Sequence, residues 1–229
     1  MKTTVLKLYL TLCLAQVAMA TFNDTTCPAA YEVMQPKIAG KFDITKLVGE
    51  WYEIATHDFT QYPFCPMVSC VRASNKLAML DDNRLRLQES FSLECGGTGP
   101  YTVMNLYNST EDNGHLVGEH VGVSYPNIMV DFKESKDGGQ YDWIIEFQCF
   151  QEHIPITGDH IGFTAIQFYT RDKNPADGVL DEMIASAREM GLGYYLDQMQ
   201  GITNIKQDSC KADTPSIEEL LLNTVRELL

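Results

Sequence analysis

Positive charge is scarce in this 229-residue chain, where 17 lysines and arginines stand against 31 aspartates and glutamates. A surface that acidic repels nucleic acid and anionic membranes, so neither is an expected partner. Long apolar runs are scarce too. Residues 1–20 carry Lys2 and Lys7, a largely apolar run from Val5 to Ala18 and then Ala18-Met19-Ala20, the pattern of a secretory signal peptide cut after Ala20. As an uncleaved anchor its apolar core would be short for a bilayer, and no other stretch could cross one. Catalytic signatures are also missing. His57, His115, His120, His153 and His160 are scattered, with no H-E-x-x-H, no G-x-S-x-G and no phosphate-cradling glycine loop. No motif calls for a metal or a cofactor, and there is no internal repeat or low-complexity tract.

What is present describes one secreted domain. Removing residues 1–20 leaves 209 residues, with 15 basic against 31 acidic side chains and a net charge of −16, which favours solubility in an extracellular fluid. Cys13 leaves with the signal, and the six remaining cysteines imply a disulfide framework. Zinc is the competing use, but Cys65-x4-Cys70 has no matching second pair. Spacing alone does not choose the partners. Asn23-Asp24-Thr25 and Asn108-Ser109-Thr110 are glycosylation sequons.

Short runs with period-two alternation recur between turn signals, which predicts an all-β chain of eight strands over 49–57, 67–74, 83–93, 101–108, 115–123, 127–134, 141–149 and 161–171. Eight strands joined by tight turns fit an up-and-down antiparallel barrel. One helix is expected after the last strand, capped by Asn174, entered at Pro175 and ended by Gly191, with Val179, Leu180, Met183, Ile184 and Ala187 packed on the outside of the barrel. Residues 21–40 are expected to form an N-terminal arm, 41–212 the barrel and helix, and 213–229 a further amphipathic helix that could dock on the barrel, pair with a protein partner or a second copy, or touch lipid, the use least favoured by Glu218, Glu219 and Glu227.

The most informative segment is Gly49-Glu50-Trp51-Tyr52. Glycine lets the backbone turn tightly into a strand, and the tryptophan is a ring large enough to plug one end of a barrel. With Cys27-Pro28, the strand Tyr141 to Cys149, Phe168-Tyr169-Thr170-Arg171-Asp172 before a helix, and Asp208-Ser209-Cys210, this order resembles the apolipoprotein D and bilin-binding branch of the lipocalins. The Tyr-Thr-Arg, helix and late-cysteine run is also similar to the lipocalin domain of violaxanthin de-epoxidases. The resemblance implies pairing of Cys27 with Cys149 and of Cys70 with Cys210, leaving Cys65 with Cys95. It also implies that Arg171 lies over Trp51 as a structural cation–π contact.

In such a barrel alternate side chains face one cavity. The more apolar parity gives an inward set of Leu85, Leu87, Glu89 and Phe91; Ile128, Val130 and Phe132; and Trp143, Ile145 and Phe147, and a glycan on Asn108, which would have to point outward, leaves Tyr101, Val103, Asn105 and Tyr107 facing in. Asp131 and Glu146 fall outside it. The expected cavity is apolar with aromatic walls. Glu89, and Glu53 on the parity of Trp51, are its acids. They could anchor a ligand hydroxyl or pyrrole, or pair with Arg72 or a tyrosine near the rim. The expectation is a secreted carrier of a small hydrophobic molecule such as a carotenoid, bilin, retinoid, sterol or fatty acid, with any pigment or lipid as the cargo itself. The alternative is a de-epoxidase acting on a carotenoid. That reading is weakened because the flanking cysteine-rich and glutamate-rich regions of those enzymes have no counterpart here.

Overall fold

The computed structural model describes residues 27–58, 65, 67–82, 84–120, 123–153, 160–198, 201–208 and 210–211. The signal segment, Asn23 and the terminal helix expected over 213–229 lie outside the described residues. Eight antiparallel strands run β1 (Gly49–Asp58), β2 (Val68–Met79), β3 (Leu85–Cys95), β4 (Thr98–Ser109), β5 (His115–His120), β6 (Val123–Glu134), β7 (Tyr141–His153) and β8 (His160–Thr170). Each pairs with its sequence neighbour, and β1 pairs with both β2 and β8, which closes the sheet into a barrel. A two-residue β9 (Thr203–Asn204) adds to β1.

Ahead of β1 come the short helices α1 (Ala30–Val33) and α2 (Ile38–Lys41) and a 3-10 turn (Ile44–Leu47) that Asp43 caps by accepting from the Thr45 amide. After β8 come α3 (Val179–Glu189) and α4 (Gly193–Leu196). The main helix starts later than Asn174-Pro175 suggests. Asn174 donates its amide to the Asp172 carboxylate in a turn, and the residue before the helix is Gly178 at φ +86°. A left-handed position there suits glycine and sets the helix entry four residues on.

Three disulfides join Cys27 to Cys149, Cys65 to Cys95 and Cys70 to Cys210, the pairs that the resemblance implies. The first fixes the N-terminal arm to β7, and the third fixes the segment after β9 to β2.

Two apolar cores lie on opposite faces of the sheet. One takes Trp51, Val71, Ala73, Leu87, Phe91, Tyr107, Leu116, Tyr125, Met129, Phe132, Tyr141, Ile144 and Tyr169 from all eight strands, so it is the barrel interior. The other takes Ile54, Ile128, Val130, Trp143, Ile145, Phe147, Ile166 and Phe168 from β1, β6, β7 and β8 together with Met183 and Ala187 of α3, so it is the seam between barrel and helix. The expected lining is therefore corrected on β6 and β7. Ile128, Val130, Trp143, Ile145 and Phe147 face outward, and Met129, Ile144 and Glu146 face inward. The physical reason is the helix. Where α3 covers the sheet, the outer face is the more apolar one. Phe132 still reaches the interior because a bulge between Met129 and Asp131 shifts the parity by one.

Candidate ligand site

One end of the barrel is sealed by a few side chains that depend on one another. Gly49 enters β1 at φ +100°, and a Cβ there would stand 3.1 Å from the Arg171 guanidinium, so both the conformation and the space call for glycine. Trp51, 1 % exposed, donates its indole N–H to the Leu47 carbonyl at 2.8 Å. Arg171 lies over it, 3.7 Å from the ring centroid to the guanidinium carbon, and donates to the carbonyls of Lys46, Val48 and Glu50 at 2.8 Å each. Partial burial brings the guanidinium down to about 10. Phe132 and Tyr141 pack at 4.3 Å between ring centroids, and the Tyr141 hydroxyl accepts from the Asp43 amide at 2.6 Å.

Beyond this stopper the mostly apolar interior carries a set of buried polar groups. Glu53 of β1, Glu89 of β3 and Glu146 of β7 are 0 %, 3 % and 5 % exposed. Glu89 accepts from the Asn105 side-chain amide at 2.8 Å and from the Tyr107 hydroxyl at 3.2 Å, so a tyrosine is among its partners. Glu146 accepts from Asn127 at 3.3 Å, which in turn accepts from Gln148 at 3.1 Å. Both oxygens of Glu53 are buried with no hydrogen-bond partner, and the neighbouring Thr56 hydroxyl is turned to the Ile166 carbonyl. Burial raises all three carboxyls. Glu53 is held well above the ordinary range, and Glu146 is pushed up to about 8 by burial and by the charge of Glu89. Tyr107 and Tyr125 meet edge-on at 6.4 Å between centroids, and Tyr169 pairs across from Glu53; burial raises all three phenols.

The fold can be matched to known ones. Lobster apocrustacyanin A1 aligns with a TM-score of 0.53 at 13 % identity, covering 80 % of this chain and 89 % of that one. Apocrustacyanin C2 gives 0.54 at 13 % identity with the same coverage, and apocrustacyanin C1 gives 0.51 at 12 %, covering 86 % and 94 %. This chain has the lipocalin fold. At such identities the likeness is one of fold. No family model matches the chain, and no curated protein matches it.

Within this lipocalin barrel, Glu53, Leu87, Glu89, Tyr107 and Phe132 of the expected site face the interior together. Val103 pairs with Phe91 on the same face of β4 but is 40 % exposed. Val130, Ile145 and Phe147 lie under α3. Trp143 borders an external groove of about 730 Å³ between the N-terminal arm and α3, shared with Lys37, Asp131, Glu182 and Ser186. Sequence reasoning missed Glu146, Asn75, Asn127 and Gln167. For Glu146, Asn127 and Gln167, on β7, β6 and β8, the signal that would have found them is the amphipathic helix itself, because its apolar stripe requires an apolar outer face on the strands beneath it; nothing comparable marks Asn75 on β2. Asn108 lies on the outer face of β4. Its side chain accepts from Arg86 at 2.7 Å and donates to Glu119 at 3.0 Å, so a glycan there would displace the Glu119 contact. His57 is structural, with Nδ1 2.8 Å from the Gly201 carbonyl.

Proposed function

We propose that this protein is a secreted carrier that holds a small, largely apolar molecule inside the barrel, above the Trp51–Arg171 stopper. The observation that carries the reading is the wall itself: Leu87, Phe91, Tyr107, Tyr125 and Tyr169 from five places in the sheet face one interior that is sealed at one end. The similarity of fold to the apocrustacyanins supports it. Three disulfides and the leader-like residues 1–20 support an oxidising, extracellular setting. Affinity would come from burying apolar ligand area, on the order of 25 cal/mol per Å² before ordering costs.

Uptake of an apolar fluorescent probe tests the reading. Leu87→Trp places a large ring in the interior and should weaken uptake, whereas Ser90→Trp on the opposite face of β3 should leave it nearly unchanged. Equal losses from both folded variants would remove the barrel interior as the site. Protein recovered from culture medium should begin at Thr21, and an absorption spectrum of the natively purified material tells a pigment from a colourless cargo.

A further inference from the structure

Among the described residues, the interior carries several buried hydrogen-bond acceptors that have no donor. Glu53 has two unpartnered carboxylate oxygens, and the side-chain carbonyl oxygens of Asn75 and Gln167, on residues 4 % and 7 % exposed, are likewise buried without a partner. Asn75 pairs across from Glu89, and Gln167 across from Glu146, so these amides face the same space as the carboxylates. None of the ion pairs between described residues includes Glu53, Glu89 or Glu146. Asp58 adds a fourth carboxylate to the field at Glu53. A buried acceptor that lacks a donor costs about 1–3 kcal/mol, and a buried charge without a counter-ion costs more. Four such oxygens on three strands therefore describe a complementary group that brings several N–H donors and a positive charge.

We propose that the cargo is a small organic ammonium compound, its charged nitrogen received by Glu53, Glu89 and Glu146 with Asn75 and Gln167, and its apolar body by the interior rings. The assignment rests on the carrier reading above and supplies its ligand class. An ammonium group offers three donors to this set, which an alcohol cannot match and a carboxylate would oppose. Tyr107, Tyr125 and Tyr169 offer ring faces to the same cation. The titratable groups facing the nitrogen are Glu53 and Asp58 of β1, Glu89 of β3, Tyr107 of β4, Tyr125 of β6, Glu146 of β7 and Tyr169 of β8. Because burial raises the carboxyls, Glu53 well above the ordinary range and Glu146 to about 8, an entering ammonium favours their charged forms and expels protons. Affinity should rise with pH until the amine itself loses its charge.

Isothermal titration of the disulfide-bonded protein near neutral pH provides the test, with phenethylamine, phenethyl alcohol and hydrocinnamate as probes of matched body and different head group. Phenethylamine should bind roughly tenfold or more tighter than the alcohol, with hydrocinnamate weakest. In buffers of different ionisation enthalpy, only the amine should show net proton release. Glu53→Gln should remove most of the amine preference while keeping uptake of an apolar probe. If that variant does not fold, the head-group ranking and proton release of the unaltered protein still decide. Apolar-probe uptake without amine preference or proton release would overturn the ammonium assignment alone, with water as the partner of the orphan oxygens. Entry of neither probe nor amine would overturn the carrier reading with it.

Discussion

Glu146 shows how much one side chain can change the reading of the molecule. Its neighbours Ile145 and Phe147 are the more hydrophobic alternate set, so sequence parity turns it to solvent, yet it is buried inside the barrel. Its carboxyl rises from an ordinary 4.5 to about 8, so between those values the folded protein keeps a proton that the unfolded chain has lost. Stability is full below about 4.5, falls as pH rises through the window, and has lost this contribution above about 8. The size is on the order of a few kcal/mol. Denaturant melts across the window should show this decline, and Glu146→Gln should reduce it, leaving the part of the same sign that Glu53 and Glu89 contribute. Parallel curves for variant and parent would mean that Glu146 titrates as an exposed acid. Glu53 and Glu89 were legible because each is an acid on the parity of Trp51 or Leu87. Glu146 was not legible, since no local pattern distinguishes an apolar face under a helix from one inside a barrel.

At the scale of elements, the helix and the strands it covers form one cooperative unit. Met183 and Ala187 are fully buried against Val130, Ile145 and Phe147, with Val179, Leu180 and Ile184 packed around them. Polar contacts fix the register. Asp131 receives the Ser186 hydroxyl at 2.5 Å and the Lys37 ammonium at 2.6 Å, tying α3 and the arm to the bulge of β6. Removing side-chain volume here should act on stability and not on binding. Ile145→Ala and Met183→Ala should each cost about 2–5 kcal/mol, as other large-to-small core changes do, with apolar-probe uptake per folded molecule unchanged. Loss of uptake without loss of stability would return Ile145 to the cavity. The eight strands and the helical stripe were readable from periodicity alone. The inner face of β7 was not, because both of its faces are buried and alternation then carries no sign.

For the whole molecule, the question is what holds the chain ends to a barrel that already closes on itself. The segment after β9 lies along the open side of β1 and β2. Ile205 donates to the Ile54 carbonyl at 2.9 Å, Gln207 donates to the carbonyls of Glu53 and Val71 at 2.8 and 2.9 Å, and the Cys70 backbone N–H donates to the Lys206 carbonyl at 2.8 Å. The disulfide Cys70–Cys210 spans 140 residues and Cys27–Cys149 spans 122, whereas Cys65–Cys95 spans 30. Loop-closure entropy grows with the logarithm of loop length, so each long bridge should stabilise by about 1 kcal/mol more than the short one, out of a few kcal/mol apiece. The Cys70→Ser/Cys210→Ser and Cys27→Ser/Cys149→Ser pairs should therefore lower the denaturation midpoint further than Cys65→Ser/Cys95→Ser. Because Glu53 and Val71 hold Gln207 from inside the strands that line the ligand, releasing Cys70–Cys210 should also loosen the wall at Glu53 and weaken uptake, an effect that releasing Cys27–Cys149 on the helix side should not share. If both long-bridge variants lost uptake equally, the C-terminal segment would have no particular hold on the site, and the bridges would act on global stability alone.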